Sequence, residues 1–210
     1  MEALYAWEGL TKPKVARGLG SASTRTAAQA AAARAYAERI IAQMDPTGLH
    51  IYTDGSASPN PGPCGAGVYC TIPQRIDQEL SIGLGNGTNN LGELWAIGAA
   101  IALADRLALD NPRLRGRKAY IITDSQYAIG CLLQGWTSRH TLNTTIVETI
   151  KRMMSNSTLI WHINWTPGHA GVAGNEAADG AADRGARRSA RGGGLTDLQS
   201  RAQAGLFLPD

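Results

Sequence analysis

The sequence predicts an α/β domain in which a mixed β-sheet is flanked by helices. Three observations predict it. Strand-like segments cluster first and then alternate with helical ones, in the order βββαβααβα. The helical segment Asn90–Leu107 places Leu91, Leu94, Ile97, Ile101 and Ala104 at helical spacing. Two strand-like segments, Ile51-Tyr52-Thr53-Asp54 and Ile121-Ile122-Thr123-Asp124, end alike in a carboxylate. Parallel neighbours that open on one sheet edge would end in this way.

Taken in order, residues 1–47 form an N-terminal extension. Residues 1–23 mix Gly, Lys, Arg and Ser with little periodicity and read as irregular. Residues 24–44 are Ala-rich and strongly helix-forming, with Ser23 or Thr24 as the expected N-cap. Asp45-Pro46-Thr47-Gly48 breaks that helix. The globular domain spans 48–186. His50–Asp54 reads as a strand, and Pro59-Asn60-Pro61-Gly62-Pro63 as a turn cluster. Gly65–Ile72 and Gln78–Gly85 complete a meander. A helix over Asn90–Leu107, a strand over Lys118–Thr123, and helices over Ser125–Leu133 and Leu142–Met154 follow. Leu159–Trp165 reads as the fifth strand and Gly174–Ala186 as the last core helix. Residues 187–210 are a basic, Gly-rich tail with Arg187, Arg188, Arg191 and Gly192-Gly193-Gly194. They read as a flexible linker with one short amphipathic helix near Thr196–Ala204.

Composition narrows the function classes. Hydrophobic residues make up 43% of the 210, enough for a sizeable core and against wholesale disorder. The net charge of +3 is too mild to imply a nucleic-acid partner by itself. No apolar run approaches the roughly 18 residues that span a bilayer, and the start has no basic-then-apolar leader. The expectation is an intracellular protein of cytoplasm or nucleus with no membrane partner. Arg17, Arg25, Arg34 and Arg39 would suit an organellar targeting segment, but Glu2, Glu8 and Glu38 oppose it. Cys64, Cys70 and Cys131 are odd in number and lack zinc spacing, so buried reduced thiols are expected.

The chemistry lies in the acidic residues. If the two similar strands are parallel neighbours, Asp54 and Asp124 emerge side by side and repel. A divalent cation removes that conflict, and oxygen-only ligands favour Mg²⁺ or Mn²⁺ over zinc. Glu93 lies one turn into its helix, beside the apolar stripe, as either a solvated flank or a third ligand. Asp179 stands near the start of the last helix, where an acidic residue also has a simple helix-stabilising role. Spacing alone does not bring the four together.

Thr53-Asp54-Gly55-Ser56, Thr88-Asn89-Asn90 with Glu93, Thr123-Asp124-Ser125-Gln126, and Pro167-Gly168-His169-Ala170-Gly171 with Asn175, Glu176 and Asp179 are four motifs in one order. Together they resemble type 1 ribonuclease H, over roughly residues 49 to 186. The resemblance implies a ribonuclease H-like fold, with a five-stranded mixed sheet in the order 3-2-1-4-5. It implies endonucleolytic hydrolysis of the RNA strand of an RNA–DNA hybrid, with 5′-phosphate and 3′-hydroxyl products. Asp54, Glu93, Asp124 and Asp179 match the family's metal-binding carboxylates, which hold two Mg²⁺ (Mn²⁺ can substitute). Asp54, on the central strand, is expected to bridge the ions. His169 matches a flexible-loop histidine that assists catalysis or product release, and histidine exchanges protons readily near neutral pH.

Asn89, Asn90 and Gln126 match minor-groove contacts that sense the RNA 2′-hydroxyl. Trp136 matches an aromatic set against the DNA strand, and Asn60 and Asn175 complete the expected substrate contacts. Glu176 reads as either a second-metal aid or support for the helix start. The sequence departs from the bacterial pattern between Gly135 and Leu142, where the basic handle is missing, and at Asn86, where some relatives carry Arg. Reverse-transcriptase domains also lack the handle. A monomeric enzyme and a reverse-transcriptase or other polyprotein domain are both compatible with this core. Another nuclease or a transposase or integrase core on the same superfold is the alternative, but leaves Thr88-Asn89-Asn90 and the histidine loop unexplained.

Overall fold

Five strands form one sheet in the order β3-β2-β1-β4-β5 in a computed structural model that describes residues 18–72 and 76–209. The strands are β1 (Leu49–Ala57), β2 (Gly62–Ile72), β3 (Ile76–Gly87), β4 (Lys118–Thr123) and β5 (Ile160–Trp165). β1 pairs antiparallel with β2 and β2 with β3, whereas β1–β4 and β4–β5 are parallel. Thr53 of β1 sits opposite Thr123 of β4, so the two following aspartates leave the sheet at the same edge. The expected mixed sheet and its strand order are both present.

Among the described residues the helices are α1 (Ala27–Ala42), α2 (Asn89–Asp110), α3 (Gln126–Leu133), α4 (Thr141–Asn156), α5 (Ala173–Ala190) and α6 (Leu198–Ala204), with a 3₁₀ turn at Pro112–Leu114. One face of the sheet carries the main core. There α2 buries Leu94, Trp95, Ile97 and Ile101 against Leu49, Ile51 and Ile121 of β1 and β4, with Ile146 and Ile150 of α4 behind. α5 covers the opposite face over β1, β2 and β3. Its contact is main chain against main chain: a Cβ at Gly65 or Gly67 of β2 would overlap Ala182 or Ala178 backbone on α5. Such a seam requires glycine, because no side chain separates helix from strand.

The N-terminal helix starts later than expected. Neither Ser23 nor Thr24 caps it. Thr26 does, accepting from the Gln29 N–H at 3.2 Å while Gln29 Oε1 accepts from the Thr26 N–H at 2.9 Å. This reciprocal capping box satisfies two otherwise orphaned donors, which Ser23 and Thr24 cannot match without a partner three residues on. Thr26→Ala is expected to cost about 1 kcal/mol, read as a lowered thermal midpoint. α1 then docks over β1 and β4, with Ala33 and Ala37 fully buried in a second cluster with Tyr52, Tyr120, Ile122, Ala170 and Val172. The irregular stretch expected over 1–23 falls mainly on residues 1–17, which lie outside the described residues.

The tail is not a free linker. α5 continues to Ala190, and the Leu195 N–H donates to the Gly83 carbonyl at 2.9 Å, fastening the chain to β3. The expected short helix is α6, which packs on α4 through a Gln199–Thr145 hydrogen bond of 2.9 Å. Phe207, the single phenylalanine, is fully buried against Trp95. The glycine run permits the turn back, and one aromatic supplies the anchor. The three cysteines are free and buried. Among the described residues no helix is long and apolar enough to cross a membrane.

Candidate active site

Three backbone elements deliver carboxylates to one point at the sheet edge. Asp54 sits on β1, Asp124 directly follows β4, and Glu93 projects from the second turn of α2. One oxygen from each lies within 4.8 Å of the others. The approach of α2 to β1 is set by Gly55, where a Cβ would overlap the Glu93 backbone nitrogen. Thr88 starts α2 by accepting from the Leu91 N–H at 3.2 Å. Ser125 starts α3 in the same way, accepting from Ala128 N–H at 3.2 Å. These caps place Asn89, Asn90 and Gln126 at the exposed ends of helices that flank the acids.

The cluster is electrostatically costly. Glu93 is only 8% exposed, and its Oε2 is buried with no hydrogen-bond partner. Burial, reinforced by Asp54 and Asp124, pushes its carboxyl well above the ordinary range. Burial and the Asp124 charge push Asp54 up to about 8, aided by a hydrogen bond that the protonated Asp54 carboxyl donates to Asp179. Burial also raises Asp124, with neighbouring His169 opposing that shift. Buried carboxylates that repel one another, one with an orphaned oxygen, fit a hard divalent cation.

Asp179 and Glu176 of α5 and His169 of the preceding loop line the same small cavity, with Thr53, Asp54, Asp124, Gly168 and Asn175. Asn175 donates to Thr166 Oγ1 at 3.0 Å and keeps a buried, unpartnered Oδ1. Asn60 is tied to the start of α2, its Oδ1 accepting from the Asn89 N–H at 3.2 Å. Trp136, 48% exposed, lies over Gly130 of α3 rather than at the acids. The sequence reading overlooked Thr53. Its buried Oγ1 lacks a partner, and its place beside Asp54 at a strand end was the available signal.

The family model of RNase H matches residues 46–187, a span that contains every one of these cavity residues. The chain belongs to the RNase H family. The chain is 32% identical over 156 aligned residues to the ribonuclease H of Coxiella burnetii (strain Dugway 5J108-111), covering 69% of this chain and 94% of that one. Its fold is similar to LC11-RNase H1, isolated from compost by a metagenomic approach, with a TM-score of 0.57 and 22% identity over 69% of this chain and 99% of that chain. It is likewise similar to LC11-RNase H1 solved in complex with an RNA/DNA hybrid, with a TM-score of 0.53 and 23% identity over 65% of this chain and 97% of that chain. The matched RNase H span leaves α1 and the end of the chain outside it.

Proposed function

We propose that this ribonuclease H hydrolyses the RNA strand of RNA–DNA hybrids at the carboxylate cluster, leaving 5′-phosphate and 3′-hydroxyl ends. The observation that carries the reading is the buried convergence of Asp54, Glu93 and Asp124, with an unpartnered oxygen on Glu93. Asp54, Glu93, Asp124 and Asp179 would hold two Mg²⁺, with Mn²⁺ able to substitute. Bound there, divalent cations activate water and offset the charge that develops on a phosphodiester.

The chain's own residues do the rest. Asp54 and Asp124 orient the reacting phosphate's counter-charges from one rigid sheet edge. Asn89, Asn90 and Gln126 present neutral donors and acceptors beside the acids, suited to a 2′-hydroxyl. The half-exposed Trp136, lying over Gly130, offers an apolar surface next to the α3 end. His169 and Asn175 stand at the cavity wall where a proton or a leaving oxygen can be received. The short link from α3 to α4 carries no basic handle, which suits either a monomer with modest hybrid affinity or a domain attached to a reverse transcriptase.

The test is cleavage of labelled hybrid, RNA duplex and DNA duplex with Mg²⁺, beside Asp124→Asn. Hybrid alone should be cut, only in its RNA strand, and the variant should be inactive. Cutting of all three duplexes would refute the substrate assignment, and an active variant would refute the role of the cluster.

A further inference from the structure

The N-terminal extension reaches the active-site loop from outside the matched span. Arg25, just ahead of α1, donates from Nη1 to the carbonyls of Gly168 (2.5 Å) and His169 (3.3 Å). Its Nε donates to the Leu19 carbonyl at 3.0 Å. These acceptors on the loop lie more than 140 residues along the chain.

The guanidinium is itself fixed on the donor side. The Thr26–Gln29 capping box begins at the next residue, and Gln29 Nε2 also donates to Gly18 at 3.4 Å. Leu19 is buried in the second core cluster. On the acceptor side, the loop is under two constraints. His169 has φ of +48°, a left-handed conformation that a residue with a Cβ adopts at a steric cost. A Cβ at Gly168 would overlap the Asp124 carboxylate, so the loop main chain rests directly on that acid. Ala170 and Val172 then enter the cluster that contains Ala33 and Ala37 of α1. A charged fork bonded to two consecutive carbonyls resists the peptide rotation that would relax His169.

We infer that Arg25 is a positioning residue for the hydrolytic centre. It locks the Gly168–His169 main chain over Asp124 and thereby sets where the His169 imidazole meets the cavity. The inference rests on the functional reading above for its kinetic part and on geometry alone for its structural part. The N-terminal extension is thus a working part of the catalytic unit, outside the segment that defines the family.

Two measurements test it on the full chain. Amide hydrogen exchange across residues 168–171 should be faster in Arg25→Ala and intermediate in Arg25→Lys, with the thermal midpoint close to that of the parent. Steady-state cleavage of hybrid by Arg25→Ala should show kcat reduced about tenfold with KM little changed. In a His169→Ala background, Arg25→Ala should lose most of its effect, leaving only the small direct influence of the Arg25 charge on Asp124. Unchanged loop exchange would overturn the inference, as would independent, multiplying losses in the double variant. If the parent does not cleave hybrid, the functional reading fails, while the exchange measurement still decides the contact.

Discussion

Replacing Asp54 with asparagine is expected to abolish hybrid cleavage and, in metal-free buffer, to make the protein more stable. The activity loss should reach roughly a thousandfold or more, since several kcal/mol of cation-borne stabilisation depends on this carboxylate. The stability gain follows from burial. Asp54 is pushed up to about 8 by desolvation and by Asp124, whereas in the unfolded chain it titrates near about 4. Between these values the folded protein retains a proton that the unfolded chain has released, so raising the pH favours unfolding. The contribution of Asp54 to metal-free stability is therefore largest below the unfolded value and is lost as pH rises toward about 8. Asparagine removes the ionisation at one position and weakens the repulsion on Glu93 and Asp124. A gain of about 1–3 kcal/mol at pH 8 is expected, read from thermal or urea melts. Mg²⁺ should raise the parent's melting temperature and leave that of Asp54→Asn nearly unmoved. A variant that melts lower than the parent at pH 8 without metal would contradict this account.

Phe207→Ala is expected to be the most destabilising single change outside the site. The ring is fully buried, 5.0 Å from the Trp95 ring in an edge-on contact. Trp95 Nε1 donates to the Phe207 carbonyl at 3.0 Å, and a Cβ on Gly98 would lie 2.6 Å from the ring. Arg201 Nη2 holds the Leu208 carbonyl at 2.6 Å, so the segment is fastened on both sides of the aromatic. Truncation of such a side chain costs about 3–5 kcal/mol. For a chain of this length each kcal/mol shifts the midpoint by about 2–4 °C, so a fall of roughly 6–20 °C should be seen by calorimetry. Well below the new midpoint, hybrid cleavage should persist, because Phe207 touches none of the acids. A shift within about 1 °C would mean that the tail does not hold the core.

These two cases show where the sequence is readable and where it is not. β4 has the bounds its apolar run announces, since Gly116 and the following Asp124 punctuate it. α2 follows its periodicity, though it runs three residues past Leu107 because Ala108 and Leu109 still favour helix. The acids at the ends of β1 and β4 are legible because their strands share an ending, and parallel register then places them together. Glu93 is half legible: its helix position is clear, but its burial depends on the glycine contact at Gly55. The tail misleads because polar, glycine-rich composition describes the segment on average, and one phenylalanine decides its fate. Arg25 leaves no local trace at all. Its acceptors are main-chain carbonyls, which every residue possesses.

The bare contacts between chain segments have a consequence for how the centre can evolve. Gly55 against α2 and Gly67 against α5 leave no side chain between two main chains, and Gly168 leaves none between its loop and the Asp124 carboxylate. Oxygen-to-oxygen spacing among the acids is therefore inherited from peptide geometry, with covalent stiffness, rather than from the shapes of surrounding hydrophobes. Aliphatic residues a layer deeper are free to interchange without detuning the chemistry. A single methyl inserted at one of those three joints acts as a wedge, and should silence the enzyme in a protein that still folds.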